Sequence, residues 1–127
     1  LQTAMAVLDV FEEEKLVENA QTLESVMAEE MQKLKAKHPC VNATRNIGLF
    51  GMIDLGDGNG NLLAGYNKTH PAIADFNGFL REEGLFTFIR WGHVMCNPPL
   101  IITEAQLRAG FDIIDRGLSV IDAVLQE

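Results

Sequence analysis

Two long amphipathic segments, one early and one late in the chain, constrain the fold more than any other feature. Apolar residues recur every three or four positions in each, which is the spacing of one helix face. The first helix is predicted to end at His38, because Pro39 disfavours a helical conformation at the residue before it. Thr103 is predicted to cap the second helix, with Gln106 completing a capping box. The two apolar stripes are Leu16, Ala20, Leu23, Met27, Met31 and Leu34, and Leu107, Phe111, Ile114, Leu118, Ile121 and Leu125.

The stretch between these helices predicts a small sheet. Residues 47–55 are apolar and interrupted by glycines, which is typical of a buried strand that another segment approaches closely. Residues 85–90 and 94–96 predict two further strands joined by a tight turn at 91–93. Another helix is predicted to begin at Pro71. The order helix, strand, helix, two strands, helix predicts an α+β fold, with a mainly antiparallel sheet of three to four strands and helices packed on one face.

The first residues also have helical character, since Ala4, Leu8 and Phe11 share one face. A break is predicted near Lys15, before the first long helix. The chain opens without an initiator methionine, a basic region or a small-residue cleavage site, so no targeting peptide is visible. A chain that starts within a helix is typical of a piece cut from a longer protein, and we expect that here.

Length and charge exclude several classes of protein. A chain of 127 residues with 47% hydrophobic residues suits one domain with a sizeable core. No apolar run approaches the roughly 18 residues that a membrane span needs. A net charge of −8 argues against nucleic acid or an anionic membrane as a main partner, because both require basic patches. Two cysteines are too few for a disulfide scaffold and favour a reducing, cytoplasmic setting.

The nucleophilic and imidazole side chains do not form a recognisable catalytic set. Cys96 and His93, three residues apart, could form a nucleophile pair or two metal ligands, but no second pair completes a zinc site. The favoured interpretation is a small apolar strand residue beside a turn histidine. His38 and His70 each precede a proline and are predicted to be turn or cap residues.

One loop resembles a calcium site only in part. Asp57, Asn59 and Asn61 occupy alternate positions, as ligands of a calcium loop do. The sixth and twelfth positions hold Leu62 and Lys68, where such a loop needs glycine and glutamate. A flexible polar turn is therefore the favoured interpretation, and we expect no metal site in this chain.

Arg90 is the one side chain whose position points to binding. It ends an apolar strand beside Trp91 and Gly92, where an exposed arginine is unusual. A guanidinium at a strand end, with a glycine leaving space, can bind a carboxylate through two parallel hydrogen bonds. The alternative is an internal salt bridge to a helix acid, and spacing alone slightly favours that alternative.

Three stretches carry a likeness to a known family. They are residues 4–20, residues 44–55, and the run 90–93 taken together with residues 98–104. In this order and spacing they resemble the class III pyridoxal-phosphate aminotransferases. The counterparts there are a helix entering the C-terminal domain, an R-x-x-G-L-x-x-x-I-E-L strand, and an ending from R-x-x-G to P-P-L-x-I-T. The resemblance spans most of the chain except roughly residues 56–70, which vary in length within the family.

The resemblance implies a particular part of a larger enzyme. Residues 1–127 would be the C-terminal small domain of a fold-type I aminotransferase, with residues 1–14 as the helix that connects it to the large domain. Pyridoxal 5′-phosphate would be bound mainly by that large domain, which supplies the Schiff-base lysine. The lysines present here do not match the lysine motif, so no catalytic or cofactor-binding residue is expected and the chain alone should be inactive.

The resemblance also implies a reaction. The parent would transfer an amino group from an amino acid, ω-amino acid or amine to a keto acid such as pyruvate or 2-oxoglutarate. Arg90 matches the position that binds a substrate carboxylate, whereas Arg45 matches an arginine with a structural role. His93 and Asn97 depart from the family pattern and leave the substrate open. Residues 96–103 are most similar to the pyruvate-using branch that includes taurine and β-alanine aminotransferases.

Partners follow from the same resemblance. A homodimer is expected for the parent, and self-association for the separated domain through the first helix and the edge at Phe86 and Phe88. The alternative is a free-standing, non-catalytic α/β binding module. The reading frame of the gene separates the two, because only the first hypothesis requires a preceding segment with a lysine motif.

Overall fold

The computed structural model describes residues 1–126 and shows four helices with one four-stranded sheet. The elements are α1 (Gln2–Glu13), α2 (Leu16–Lys37), β1 (Val41–Ile47), β2 (Phe50–Leu55), α3 (Pro71–Glu82), β3 (Ile89–Arg90), β4 (His93–Cys96) and α4 (Glu104–Leu125). The strands lie in the order β1-β2-β4-β3, and every neighbouring pair is antiparallel. This arrangement confirms the predicted α+β fold.

The single strand predicted over residues 47–55 is wrong, because the chain reverses inside it. Gly48 has a φ of +54° and forms the turn of a hairpin with Leu49, so β1 and β2 are separate strands. The first strand lacks the apolar alternation that would have revealed it. Thr44 accepts a hydrogen bond from Gln32, and the side chain of Asn46 donates one to a carbonyl of α2. Polar groups thus face the helix layer where a strand pattern predicts apolar ones.

The strand predicted over residues 85–90 is shorter than expected. Only Ile89–Arg90 forms the ladder with β4, at the edge of the sheet. The preceding residues still run beside β4, since Met95 donates a backbone hydrogen bond to Phe88 and accepts one from the Thr87 hydroxyl. The observed strand therefore runs as predicted, but its hydrogen-bonded ladder is shorter.

The core lies between one face of the sheet and helices α2, α3 and α4. Both predicted apolar stripes turn inward, and Met27, Leu118 and Ile121 are fully buried. Gly51 of β2 allows α2 to pack closely on the sheet, because an added Cβ would overlap the methyl groups of Met27 and Met31. The sheet members of the core are Val41, Ile53, Leu55, Val94 and Cys96.

The helix boundaries agree closely with those predicted. Thr103 and Gln106 form the capping box at the start of α4, and Lys15, with a φ of +49°, separates α1 from α2. His70 caps α3, since its Nδ1 accepts a hydrogen bond from the Ala72 amide at 3.2 Å. No residue of α1 is buried within the described chain. Within residues 1–126, no helix combines the length and apolarity needed to span a bilayer.

Candidate functional site

The hairpin between β3 and β4 presents the candidate site. Its two turn residues, Trp91 and Gly92, both have positive φ angles, of +51° and +79°. A two-residue turn of this kind matches the twist of antiparallel strands. Gly92 also packs closely on its neighbours, since an added Cβ would lie in van der Waals contact, at 3.4 Å, with the carbonyl oxygen of Leu55 and with the amide nitrogen of Ala64. The turn is therefore fixed against β2 and against the loop that follows β2.

Arg90 is exposed at this turn, and its guanidinium carbon lies 4.2 Å from the centroid of the Trp91 ring. Within residues 1–126 no carboxylate forms an ion pair with Arg90. The internal salt bridge considered above is thus not found among the described residues. A guanidinium that stacks through its face keeps its in-plane N–H groups available to an anion.

The neighbouring charges on this face of the sheet are already paired. The strand register places Arg90 opposite His93, and His93 opposite Asp54. His93 donates from Nδ1 to Oδ1 of Asp54 at 2.7 Å, and Arg45 donates to both oxygens of that carboxylate at 2.6 and 3.2 Å. Arg45 thereby ties β1 to β2. Of the two arginines that the resemblance singled out, only Arg90 keeps an unpaired charge within the described residues.

The carboxyl of Asp54 is held in its ionised form by these contacts. Burial works to raise its pKa, but the hydrogen bonds from Arg45 and His93 outweigh burial, so the pKa lies below its ordinary value of 3.8. A carboxylate can only accept hydrogen bonds, so Nδ1 of His93 carries the proton in this pair. The Nε2 atom of His93 is thus the remaining nitrogen through which this side chain could meet a ligand.

The possible Cys96 and His93 pair does not form. Residues three apart on a strand point to opposite faces, and Cys96 is buried in the core while His93 lies on the open face. Burial raises the pKa of the Cys96 thiol to about 12, so the thiol stays protonated and unreactive near neutral pH. Within the part of the chain that the structure describes, no three His, Cys, Asp or Glu side chains are arranged so that they could hold a metal ion.

The loop with partial likeness to a calcium site uses its carboxylate internally. Oδ1 of Asp57 accepts hydrogen bonds from the amides of Asn59 and Asn61, at 2.8 and 3.1 Å. The Asn61 side chain donates to the second oxygen of Asp57 at 3.0 Å. These bonds are those of an Asx turn, as expected of a polar loop.

Sequence reasoning missed the role of His38. Its side chain is only 2% exposed, and its two ring nitrogens lie 2.8 Å from a carboxylate oxygen of Asp115 and 2.6 Å from one of Asp122. Asp115 and Asp122 are seven residues apart, so both lie on one face of α4. In the sequence, the only signal for this cluster is the seven-residue spacing of Asp115 and Asp122 together with a histidine at the end of another helix. The cluster joins α2 to α4 and lies away from the β3–β4 hairpin.

An apolar cleft of about 590 Å³ lies beside the hairpin, between the extended residues 85–88 and α4. Phe86, Phe88 and Met95 form part of its wall, and Asn97 and Gln106 are among its polar residues. No charged side chain of residues 1–126 lines this cleft. The cleft suits apolar contact and offers no group for acid–base chemistry.

Sequence comparison now places this geometry in a family. The sequence profile described as aminotransferase class-III matches residues 2–118. The chain belongs to the class-III aminotransferase family. The family suggested by the three sequence stretches is thereby confirmed, and those stretches correspond to α1 with the start of α2, the β1–β2 hairpin, and the segment from Arg90 into α4.

Two relatives and one solved structure show how similar this chain is to individual proteins and how much of each it covers. It is 30% identical over 118 residues to 5-aminovalerate aminotransferase DavT of Pseudomonas aeruginosa, covering 87% of this chain and 26% of that protein. It is 23% identical over 117 residues to (R)-1-hydroxy-2-aminoethylphosphonate ammonia-lyase of Vibrio splendidus, covering 91% and 24%. Taurine:2-oxoglutarate aminotransferase from Bifidobacterium kashiwanohense, solved in complex with PLP and glutamate, superposes with a TM-score of 0.87 at 27% identity, over 95% of this chain and 28% of that one.

The chain covers only a small part of each of these relatives. It spans about a quarter of the length of the relatives that it matches. All five of its lysines, which lie within the described residues, are exposed, and Lys33 and Lys37 pair with acids on the outer helices. An aldehyde cofactor needs a lysine inside a cleft, so the residues present do not by themselves form a pyridoxal-phosphate site.

Proposed function

We propose that this chain is the C-terminal small domain of a pyridoxal-phosphate-dependent aminotransferase, in which Arg90 binds the carboxylate of the substrate. The observation that carries the proposal is the unpaired, aromatic-stacked guanidinium of Arg90 at the β3–β4 turn. Residues 1–14 would connect this domain to a large domain, and the β3–β4 hairpin would help to close the active site. This assignment gives the exposed, apolar α1 a covered position in the complete enzyme.

Electrostatics favour Arg90 over its neighbours as the anion ligand. Arg45 is neutralised by Asp54 through two hydrogen bonds, and His93 is held by the same carboxylate. Arg90 contributes an uncompensated positive charge in a chain whose net charge is −8. A bidentate arginine–carboxylate contact fixes the orientation of a substrate as well as attracting it.

Amino transfer suits a site in which Arg90 binds a carboxylate. The keto-acid acceptor always carries a carboxylate, even when the amino donor does not. We propose an amino acid, ω-amino acid or amine as the donor and a keto acid such as pyruvate or 2-oxoglutarate as the acceptor. The relatives named for aminotransferase activity support this class of reaction. A homodimer in the cytoplasm is the proposed state of the complete enzyme.

The cofactor would come from outside this chain. Pyridoxal phosphate, when bound in an aminotransferase, acts as an electron sink for the bonds at the amino-bearing carbon. With every lysine of this chain exposed, its covalent attachment belongs to the large domain. Adding pyridoxal phosphate to the 127-residue chain should therefore give no specific visible absorption band, while the complete enzyme should give one.

Half-reactions of the complete enzyme test the role of Arg90. Replacing Arg90 with Leu should weaken the half-reaction of a keto acid by about 2–4 kcal/mol, the cost of losing a charge-assisted bidentate contact. An amine without a carboxylate should react almost as before. Arg81→Leu is the matched control, because Arg81 also stacks on an aromatic ring, that of Phe86, but lies on α3.

Two outcomes would contradict the proposal. A lower melting temperature with an unchanged ratio of the keto-acid and amine rates would make Arg90 a structural residue. Release of free ammonia without dependence on a keto acid would assign the complete enzyme to elimination, the reaction named for the Vibrio splendidus relative.

A further inference from the structure

Trp91 occupies a backbone conformation that a large side chain rarely adopts. Its φ of +51° lies in the left-handed region, where glycine alone avoids a steric cost. The next residue, Gly92, meets the same requirement without strain. A non-glycine residue held in this region points to a role for its side chain.

The Trp91 ring lies between two partners from different parts of the chain. The guanidinium carbon of Arg90 is 4.2 Å from the ring centroid, and the ring of Tyr66 is 4.4 Å away at an interplanar angle of 50°. The side chain of Tyr66 is 73% exposed. Its packing on the Trp91 ring is the aromatic contact that joins it to this surface. We name Tyr66 and Trp91 together the aromatic platform.

The loop that carries Tyr66 is fastened to the sheet close to the hairpin. Leu63 donates a backbone hydrogen bond to the carbonyl of Leu55 at 2.9 Å, and the amide of Leu55 donates to the carbonyl of Gly92 at 2.7 Å. Ala64 is buried against Gly92. The position of Tyr66 is thus fixed relative to the turn, although the ring itself faces solvent.

Stacking orders the guanidinium without occupying its donors. A cation placed over an aromatic face is attracted to it, and this attraction does not consume the N–H donors that the guanidinium can offer to an anion. Arginine otherwise loses considerable side-chain entropy when it is fixed by a ligand. A guanidinium already held by the aromatic platform would lose less on binding a carboxylate.

We propose that Tyr66 and Trp91 are positioning residues that hold Arg90 ready for the substrate carboxylate, so that the loop after β2 tunes carboxylate affinity. This inference rests on the proposed function, because it assumes that Arg90 is the carboxylate ligand. Trp91 acts on Arg90 directly, and Tyr66 acts through Trp91. Neither aromatic residue needs to touch the substrate.

Steady-state kinetics of the complete enzyme test this role. Trp91→Leu should raise KM for a keto acid by about two- to fivefold, the factor expected for an exposed cation–π contact. The kcat should stay the same, because the lost interaction is equal in the bound substrate and in the transition state. KM for an amine without a carboxylate should not change. Trp91→Phe keeps a ring at the same strained position and should restore most of the affinity.

The second residue of the platform has its own pair of variants. Tyr66→Leu should raise the same KM in the same direction by a smaller factor, whereas Tyr66→Phe should match the parent. Equal KM values for the keto acid in Trp91→Leu, Tyr66→Leu and the parent would overturn the inference. If Arg90→Leu also left the preference for carboxylates unchanged, the proposed function itself would fail, so the two failures are distinguishable.

Fluorescence of the 127-residue chain tests the contact itself. Trp91 is its only tryptophan, and Tyr66 its only tyrosine. Arg90→Leu should change the emission of Trp91, while Arg81→Leu should not. Far-UV circular dichroism confirms that each variant is folded. Identical emission spectra for the parent and folded Arg90→Leu would show that Arg90 does not stack on Trp91, and would overturn the inference.

Discussion

Nδ1 of His38 lies 2.6 Å from Oδ2 of Asp122, and this contact joins the end of α2 to the last turns of α4. The other ring nitrogen meets Asp115 at 2.8 Å, and the second oxygen of Asp122 accepts a hydrogen bond from the backbone amide of Cys40 at 3.0 Å. One buried imidazole thus lies between two acids, and the cluster ties the α2–β1 turn to the outer helix.

Removing this imidazole should destabilise the fold strongly. His38→Leu leaves Asp115 and Asp122 without the ring nitrogens that they share, and losing the common partner of such a buried cluster costs about 3 kcal/mol or more. His70→Ala is the matched control, because His70 also precedes a proline but serves only to cap α3, and its loss should cost about 1 kcal/mol. Urea denaturation at neutral pH measures both. Equal losses in the two variants would contradict a special role for His38.

Stability should fall as the pH drops to 3.8 and below because of two carboxylates. Burial works to raise the pKa of Asp115, but hydrogen bonds from Lys37 and His38 outweigh it and leave the pKa below its ordinary value of 3.8; Asp54 is also lowered. The unfolded chain therefore takes up protons at these groups before the folded chain does as the pH falls. The stabilisation is complete well above pH 3.8 and is lost as the pH drops through that value and below.

Urea midpoints measured between about pH 6 and pH 3 check this dependence. The double variant Asp54→Asn with Asp115→Asn should start from a lower midpoint and then lose less as the pH falls. Asp9→Asn combined with Glu12→Gln, on the exposed α1, controls for the removal of two negative charges. A double variant whose midpoint falls as steeply as that of the parent would assign the acid sensitivity to other groups.

Two glycines of α4 should respond in opposite directions to the same substitution. An alanine Cβ at Gly117 would lie 2.8 Å from a ring carbon of Phe76 and 3.0 Å from one of Phe79, so α3 would have to move. We expect Gly117→Ala to lower the free energy of unfolding by about 1–3 kcal/mol. At Gly110 the nearest heavy atom lies at 3.9 Å, on Leu85, and Gly110→Ala should stabilise the helix by about 0.5–1 kcal/mol. Thermal melts of the two variants decide whether α3 and α4 approach this closely.

Elements with a strong local signal could be predicted from the sequence. The capping box at Thr103 and the stop before Pro39 depend on neighbouring residues, so the sequence contains their cause. The hairpin turn at Gly48 was missed because β1 meets α2 through Thr44 and Asn46 rather than through apolar residues. Only the tertiary fold decides which face of such a strand is covered.

In the candidate site, too, only the features that depend on neighbouring residues could be predicted from the sequence. Arg90 could be singled out because it ends an apolar strand and matches a family position. Its contact with Trp91 is local, but Tyr66 is 25 positions from Trp91 and reaches it only through a loop whose course no local rule fixes. The pairing of His38 with Asp122 spans 84 positions and depends on how α4 crosses α2. Such long-range pairs require the tertiary structure.

The exposed first helix leads to a prediction about association. No residue of α1 is buried within the described chain, although Met5, Leu8 and Phe11 recur on one face. An amphipathic helix gains most of its stability by covering that face, and burying one large apolar side chain contributes about 1.5–3 kcal/mol. Under the proposed function a large domain would cover that face, and for the 127-residue chain alone a second copy is the available partner.

Sedimentation equilibrium of the 127-residue chain should therefore show a molecular mass that rises with concentration above the 14.0 kDa of the monomer. Leu8→Glu combined with Phe11→Glu should abolish the rise, because two carboxylates would have to be buried at the contact. Gln2→Glu with Thr3→Glu adds the same net charge on the same helix outside the apolar face and should still associate. A monomer at every concentration would contradict the prediction. Association that both double variants lose equally would assign it to net charge instead of to the apolar face of α1.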